Sequence, residues 1–318
     1  MATTIKKPSD TKVTAASEQA VRSWDEMTEN VNGGRTSIGT DKSAGDEDTI
    51  KRIRIGIVGK NYLSQSVKVS ADPKSCELLE IEGTKELDSL IEWRPNLVFI
   101  CTDIPLLKND SLDDAEFINT VSKISKQTEA GVCIKTSLNI ETFERLVSAV
   151  GIDSVMNKLI YSPEIEETLE GVLNSETVLV GGYGKALESH VDVLTNLSTY
   201  LMKNVITGSF NTIIFTKLGL SGWKAVKQTY FNQLHNAIMD IGGANPSTVR
   251  RNILKSKGKD DHLVLPVFFR SQSDDSVTLK QARAYGGEYL NSDVKMFVSM
   301  IDKLPLLEEC INLRNLKD

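Results

Sequence analysis

The sequence predicts an α/β protein in which a doubly wound parallel sheet is followed by a long central helix and a smaller, mainly helical domain. The first observation is a buried strand that ends at Gly59 and contains the β-branched residues Ile53, Ile55, Ile57 and Val58. A helix predicted from Tyr62 to Val69 follows at once. Strands and helices then alternate, and the pattern ends in one helical segment of unusual length.

Further strands are predicted wherever short apolar runs lie between helical segments. They comprise residues 76–81, 96–102, 131–136, 158–161 and 177–181, with Phe210–Phe215 as a candidate final strand. Helices are predicted over residues 86–93, 115–128, 140–150 and 185–202, each between two of these strands. This alternation indicates a Rossmann-like sheet, in which ligands bind at the carboxyl ends of the strands.

Composition and periodicity divide the chain into three parts. Residues 1–50 form a polar, flexible arm, residues 51–208 the Rossmann-like domain, and residues 209–318 the long-helix domain. One face of a short amphipathic helix in the arm carries Ala20, Trp24, Met27 and Val31. Two interpretations stay open: this helix packs on its own domain, or it docks on a neighbouring subunit or partner.

The long helix is predicted from Thr216 to Ile241, and another helix covers residues 292–304. The apolar stripe of the long helix consists of Trp223, Val226, Tyr230, Leu234 and Ile241. We expect this stripe to be an interface, either between two domains or between two chains. Together with the arm, it predicts a homo-oligomer or a larger protein assembly.

Composition argues against several classes of partner. The chain has 318 residues and a net charge of −6, which is unlike a nucleic-acid-binding protein. No apolar stretch approaches the ~20 residues that span a bilayer, so we expect no membrane partner. The four cysteines lack a C-x-x-C pair and the three histidines are scattered. They predict buried thiols, no metal site and a reducing, cytoplasmic location.

The turn after the first strand departs from the G-x-G-x-x-G pattern that accommodates a pyrophosphate. Asn61 and Ser64 stand where the second and third glycines belong, and a side chain at 61 lies where phosphate would sit. An acid near the end of the second strand, Glu80 or Glu82, would bind ribose hydroxyls or is simply a surface acid. We therefore expect weak NAD binding or none.

Five short motifs follow this turn in a fixed order. They are Val98-Phe-Ile-Cys-Thr102, Ile134-Lys-Thr-Ser137, Tyr161-Ser-Pro-Glu164, Tyr230-Phe-Asn-Gln-Leu234 and Gly286-Gly-Glu-Tyr-Leu-Asn-Ser-Asp293. With these motifs, residues 52–303 resemble the UDP-glucose/GDP-mannose dehydrogenases. The resemblance implies an NAD-binding Rossmann domain, a long helix that dimerises, and a C-terminal domain that closes over a nucleotide sugar. It also implies a double oxidation of a primary alcohol through a cysteine-bound intermediate.

The resemblance assigns site positions residue by residue. Lys217, Asp293 and Glu164 retain catalytic positions, whereas Tyr289 replaces the nucleophilic cysteine and Ser221 replaces an asparagine. Tyrosine cannot form the thioester that the family reaction requires. The positions that match cofactor-binding residues are Gly59, Asn61, Tyr62, Thr102 and Ser137.

Two departures from the family are larger than single substitutions. The chain is shorter than the family pattern between its second strand and Asn96, so we expect a trimmed cofactor domain. The few residues after Asp293 leave too little chain for the domain that closes over the nucleotide sugar.

Three functions stay open. The first is a degenerate, non-catalytic protein with a structural or interaction role, for example in a phage virion assembly, located in the host cytoplasm or the virion. The second is an NAD-dependent oxidoreductase that acts on a hydroxyl of a nucleotide sugar or hydroxy acid, with Lys217 as its base. The third is a nucleotide-binding sensor without turnover. A ligand-sized cleft beside Gly59, Thr102 and Ser137, either open or filled by side chains, would distinguish them.

Overall fold

The computed structural model describes residues 52–107, 111–187, 204–256, 268–270, 279–281, 285, 288–301 and 304–315. The predicted arm over residues 1–50 lies outside these residues. So does the predicted helix over residues 185–202, except for its first few residues.

A seven-stranded sheet organises the fold. Its strands are β1 Ile53–Val58, β2 Cys76–Ile81, β3 Leu97–Ile100, β4 Gly131–Ile134, β5 Leu159–Tyr161, β6 Thr177–Gly182 and β7 Asn204–Gly208. Their spatial order is β2-β1-β3-β4-β5-β6-β7. Strands β1 to β5 run parallel, β6 is antiparallel to β5, and β7 is parallel to β6. The predicted α/β fold is confirmed, with one reversal of strand direction between β5 and β6.

The core lies along β1 and its neighbours. Ile55 pairs with Leu78 of β2 on one side and with Leu97 of β3 on the other. Every residue of β3, β4 and β5 is buried. Strands that are covered on both faces consist of continuous apolar runs, which is why these segments were recognisable in the sequence.

Six helices lie wholly within the described residues before residue 188, and residues 184–187 are the start of another. The six are α1 Tyr62–Ser70, α2 Leu87–Glu92, α3 Ala115–Gln127, α4 Ile140–Val150, α5 Ile152–Asn157 and α6 Leu169–Asn174. A short 3₁₀ turn over Thr84–Glu86 leads into α2. Asn139 caps α4, since its side chain accepts a 2.8 Å hydrogen bond from the Thr142 amide.

The long helix, α7, covers Phe210–Ile241 and is 32 residues long. The candidate strand Phe210–Phe215 is therefore wrong, because these residues form the first turns of α7. Ser209 begins the helix by accepting a hydrogen bond from the Thr212 amide at 3.2 Å. Phe210 then stacks on Phe143 with the ring centroids 4.4 Å apart. The strand at this place is β7, which ends immediately before the cap.

A smaller, mainly helical region packs against α7. It contains α8 Pro246–Ser256, α9 Glu288–Met300 and α10 Pro305–Asn315, together with a hairpin of β8 Phe268–Arg270 and β9 Leu279–Gln281. Its core joins Ala225 of α7 to Leu290, Val294 and Leu307. Helix α9 begins earlier than the predicted residue 292, and α10 was not predicted. The domain boundary at residue 208 stays a prediction.

The apolar stripe of α7 divides into two sets. Val226 packs against the core formed with α9 and α10. Three other members stand in solvent within the described chain: Trp223 is 57% exposed, Tyr230 54% and Ile241 85%. Leu234 is half-buried, and the contacts described for the rings of Trp223 and Tyr230 are with neighbours on α7 itself, Lys227 and Phe231.

Candidate functional site

A cleft of about 380 Å³ lies at the carboxyl edge of the sheet, where β1, β2 and β3 end. Three of the predicted cofactor-binding residues line this cleft, namely Gly59, Asn61 and Thr102. Tyr62 and Ser137 are not among its lining residues. Ser137 follows β4, one strand further along the sheet, so the structure places it outside this cleft.

Gly59 is required by its backbone. Its φ of +110° is unfavourable for other residues, and a Cβ there would lie 2.8 Å from the Cys101 carbonyl carbon. The Gly59 amide also donates to the Ile81 carbonyl at 2.9 Å. This glycine thus lets the turn pass between the ends of β2 and β3.

Asn61 occupies the N-terminus of α1 with its own side chain. Its Oδ1 accepts hydrogen bonds from the amides of Leu63 at 2.9 Å and Ser64 at 3.2 Å. Its Nδ2 donates to the Cys101 carbonyl at 2.6 Å. The Ser64 hydroxyl completes a capping box by accepting from the Asn61 amide. The amides of Leu63 and Ser64, which are among those at the helix start that would face a phosphate in a dinucleotide turn, are therefore already satisfied.

The charge of the cleft is predominantly negative. Its described lining includes Glu82, Asp103, Asp113 and Glu116, against the single cation Lys60. Lys60 pairs with Glu82 at 3.2 Å. Carboxylates around a cleft repel a diphosphate, so the lining and the capped turn disfavour the same chemical group.

Lys217 and Asp293, two predicted catalytic residues, form a buried ion pair between α7 and α9. The Lys217 Nζ lies 2.8 Å from Asp293 Oδ2, with both side chains at most 5% exposed. The Ser221 hydroxyl donates to the same Asp293 oxygen at 2.8 Å. The structure thus brings three predicted residues together, and Ser221 takes part in their hydrogen bonding.

Glu164 belongs to a second buried pair. Its carboxylate lies 2.5 Å from Nζ of Lys135, whose side chain is fully buried. The Lys135 ammonium also approaches the Ser162 hydroxyl at 3.5 Å. Sequence reasoning missed Lys135 as a site residue, although it lies within one motif and Glu164 within another. The sequence did contain a signal: Lys135 lies in a run of residues predicted to form a buried strand. A buried ammonium requires a charged partner.

Tyr62 and Tyr289 join α1 to α9. Their rings meet edge to face with centroids 5.1 Å apart, and the Tyr289 hydroxyl donates to Asp103 at 3.5 Å. Burial, followed by the charges of Asp293 and Glu164, raises the pKa of Tyr62 well above its usual range. Tyr289, the residue in the cysteine position, therefore contacts Tyr62 of α1 and bonds to Asp103, which lines the cleft.

Within the described chain, no further site is found at the cysteines, among potential metal ligands or in a membrane-spanning helix. All four thiols are free and buried, and for Cys101 and Cys133 the apolar strand runs had predicted it. Among the residues that the structure describes, no three His, Cys, Asp or Glu side chains gather as metal ligands. None of the described helices is apolar over enough of its length to cross a membrane.

No family model and no curated protein matches this chain. Solved structures do match. A UDP-glucose dehydrogenase from Pyrobaculum islandicum aligns with a TM-score of 0.61 at 11% identity, covering 85% of this chain and 70% of that one. A UDP-D-ManNAc dehydrogenase from Pyrococcus horikoshii gives 0.59 at 13%, covering 82% and 68%. A 3-hydroxyisobutyrate dehydrogenase from Mycobacterium tuberculosis gives 0.59 at 9%, covering 82% and 92%.

The chain thus has a dehydrogenase-type α/β fold. More particularly, it has the fold found in nucleotide-sugar dehydrogenases, which confirms the predicted resemblance at the level of the fold. At identities this low, the activity of these proteins cannot be assigned to this chain. Its function has to be argued from the residues of the site.

Proposed function

We propose that this protein is a non-catalytic relative of the nucleotide-sugar dehydrogenases, with a structural or interaction role. The observation that carries the proposal is the side chain of Asn61. It lies where an incoming phosphate would bind and accepts hydrogen bonds from the second and third amides of α1. A pyrophosphate would have to displace this cap, so binding of NAD is weak or absent.

The chemistry of the remaining site residues supports the same proposal. Tyr289 is bulky and stays protonated, because burial and the charge of Asp103 raise its pKa. It therefore supplies no nucleophile for acyl transfer. Lys217 is held by Asp293 and Ser221 in a closed set of contacts. A lysine engaged in this way stabilises the packing of α7 on α9.

The interaction role falls to the exposed face of α7. Trp223 and Tyr230 are both more than half exposed within the described chain. Large aromatic side chains contribute most when buried in an interface. We propose that a second copy of this chain, or a larger assembly such as a virion, covers this face, with the arm over residues 1–50 as a second contact.

The alternative is an NAD-dependent oxidoreductase. Two observations favour it: the cleft is open beside Gly59 and Thr102, and Lys217, Asp293 and Glu164 all retain charged partners. A single oxidation of a hydroxyl needs a base and a hydride acceptor, not a cysteine. Lys217 would be that base after release from Asp293.

A turnover assay distinguishes the non-catalytic role from the oxidoreductase. The full chain is incubated with NAD or NADP and with UDP-glucose, GDP-mannose, UDP-ManNAc or 3-hydroxyisobutyrate, and reduced cofactor is followed at about 340 nm. We expect no rate above that of the Lys217→Met variant. A rate that disappears in Lys217→Met while that variant keeps the native circular dichroism, and that survives in the control Lys224→Met, which removes the Lys224–Glu166 pair, would establish the alternative.

A further inference from the structure

Strand β2 forms one edge of the seven-stranded sheet. Its inner side pairs with β1 over the whole strand, and no strand in the described part of the chain pairs with its outer side. The register with β1 is continuous, without a bulge, and β2 contains no proline. Bulges and prolines are devices that keep an edge from pairing with another strand. The outer side of β2 lacks both of them.

The main-chain groups of β2 alternate between its two sides. The Gly59 amide donates to the Ile81 carbonyl at 2.9 Å, so Ile81 and every second residue before it face β1. The residues between them, Cys76, Leu78 and Glu80, face outward. The Cys76 amide is already bound within the preceding turn, at 2.9 Å. Leu78 and Glu80 therefore offer their amides and carbonyls to a further strand.

The side chains at this edge form the pattern Glu77-Leu78-Leu79-Glu80. Leu78 is 40% exposed, and Glu77 is also exposed. One carboxylate oxygen of Glu80, Oε2, lies 3.0 Å from Nζ of Lys68. The other, Oε1, is buried and has no hydrogen-bond partner among the described residues. Buried polar atoms are normally satisfied, so this edge lacks a donor.

The pattern defines the strand that complements it. Successive side chains point to opposite faces, so each face carries one glutamate and one leucine. A strand with a lysine or arginine on either side of two apolar residues would place a cation opposite each glutamate and an apolar side chain opposite each leucine. Because the pattern reads the same in both directions, such a strand fits either parallel or antiparallel.

A second copy of this chain fits the edge less well. In an antiparallel pair related by a two-fold axis, outward-facing residues oppose outward-facing residues. The registers centred on Leu78 and on Leu79 then place apolar residues opposite both Glu77 and Glu80. Registers shifted further place one of these glutamates opposite its own copy. A second β2 thus supplies no donor to the carboxylates.

We propose that the outer edge of β2 binds an extended segment of a partner protein, in which two basic residues flank two apolar ones, as an additional strand of the sheet. The inference rests on the interaction role proposed above and assigns it a surface separate from the exposed face of α7. It does not depend on the absence of catalysis, since an active dehydrogenase could also hold a partner at this edge.

Hydrogen exchange resolved by residue tests the pairing. The probe is the blocked hexapeptide Thr-Lys-Val-Ile-Lys-Thr, added to the full chain and followed by NMR. We expect the bound peptide to slow amide exchange at Leu78 and Glu80, which face outward. Exchange at Glu77 and Leu79, which face β1, should change little. Protection at alternate residues distinguishes strand pairing from attraction between charges alone.

The charge preference is tested with the acidic hexapeptide Thr-Glu-Val-Ile-Glu-Thr. It should bind about 10-fold more weakly than the basic one, because it places like charges opposite Glu77 and Glu80. Glu77→Lys should weaken binding of the basic peptide about 5-fold and strengthen binding of the acidic one. Glu144→Lys makes the same charge change at an exposed position of α4 and should alter neither affinity.

A proline variant tests the main chain. Leu78→Pro removes an outward-facing amide and leaves the hydrogen bonds to β1 in place, as edge strands tolerate. It should abolish binding of the basic peptide while the native circular dichroism is kept. If this variant misfolds, the comparison of Glu77→Lys with Glu144→Lys decides.

Four results would overturn the inference. They are an unchanged exchange rate at Leu78 and Glu80, equal affinity for the two peptides, equal effects of Glu77→Lys and Glu144→Lys, and a lower mass in solution for a folded Leu78→Pro variant. The last would make a second copy the occupant of the edge. Reduction of NAD in the turnover assay would overturn only the proposed lack of catalysis.

Discussion

At the scale of single residues, the molecule is defined by charges buried in pairs. Lys217 with Asp293, and Lys135 with Glu164, lie almost entirely out of solvent. Burying a charge is expensive, and only a close partner offsets the cost. Each pair therefore fixes its residues together, whether or not they once had a catalytic role.

Removal of one member of a buried pair should be severely destabilising. Asp293→Ala leaves the Lys217 ammonium without its carboxylate, and we expect a loss of about 3–5 kcal/mol in the free energy of unfolding. Urea unfolding followed by circular dichroism measures it. The surface pair Lys123–Asp88 is the control, and Asp88→Asn should cost less than about 1 kcal/mol. If Lys217→Met/Asp293→Leu is as unstable as Asp293→Ala, the unpaired charge is not the cause.

The buried thiols should make stability fall in alkali. Burial raises the pKa of Cys133 to about 12, and raises that of Cys101 as well. In the unfolded chain the thiol ionises near 9.0. The unfolded state therefore loses a proton that the folded state keeps, and stability, complete below about pH 9, declines as the pH rises toward 12.

The loss should reach about 2 kcal/mol per thiol at about pH 10.5. It is measured by urea unfolding at about pH 8 and pH 10.5. Cys101→Val/Cys133→Val should lose less stability between these conditions than the native chain does. An equal loss in both proteins would assign the decline to other groups.

At the scale of elements, α1 shows how a side chain can replace a ligand. Asn61 caps the helix and also ties it to the Cys101 carbonyl at the end of β3. Asn139 caps α4 through the Thr142 amide, and the structure describes no second bond for its side chain. The two asparagines therefore provide a matched comparison.

We expect Asn139→Ala to lower the free energy of unfolding by about 1 kcal/mol, the usual worth of a cap. Asn61→Ala should cost about 2 kcal/mol, because a second amide, the Cys101 carbonyl and the Asp103 carboxylate also lose a partner. Urea unfolding of the two variants gives the difference. Equal losses would mean that the bond to β3 contributes nothing.

These elements show how far the sequence could be interpreted. Strands β3, β4 and β5 were predictable because they are continuous apolar runs between helices. Phe210–Phe215 was misassigned because a short β-branched and aromatic run fits a strand or a buried helix equally well. Alternation alone also cannot show that β6 runs antiparallel to β5. That direction depends on contacts between segments distant in the chain.

The candidate site was predictable only in part, for a similar reason. Motif spacing identified Lys217, Asp293 and Glu164, but not which of them pair. The Lys135–Glu164 contact joins residues from two different strand ends, and no local pattern signals it. Asn61 was identified as an obstacle to phosphate. Its role as a cap followed only from its observed hydrogen bonds.

At the scale of the whole molecule, the exposed aromatic face of α7 predicts self-association. Trp223→Lys should lower the mass in solution to that of a monomer, because a lysine charge cannot be buried there without a partner. Light scattering after size exclusion measures it. Ile152→Lys is the control, since this exposed residue lies on α5. A native chain that is already monomeric would contradict the prediction.

The length of α7 means that its two halves differ in how easily they open to solvent. Its buried residues run from Phe210 to Thr229, and none of its residues from Phe231 to Ile241 is buried. The first turns are held by the sheet and by the Lys217–Asp293 pair, whereas the contact described for the last turns is that of Phe231 with Arg250 of α8. Amide hydrogens in one continuous helix should therefore exchange with solvent at sharply different rates, slowly before Thr229 and quickly beyond it. The helix is anchored through its first turns, and a partner that also covered the exposed Ile241 would slow amide exchange in its last turns.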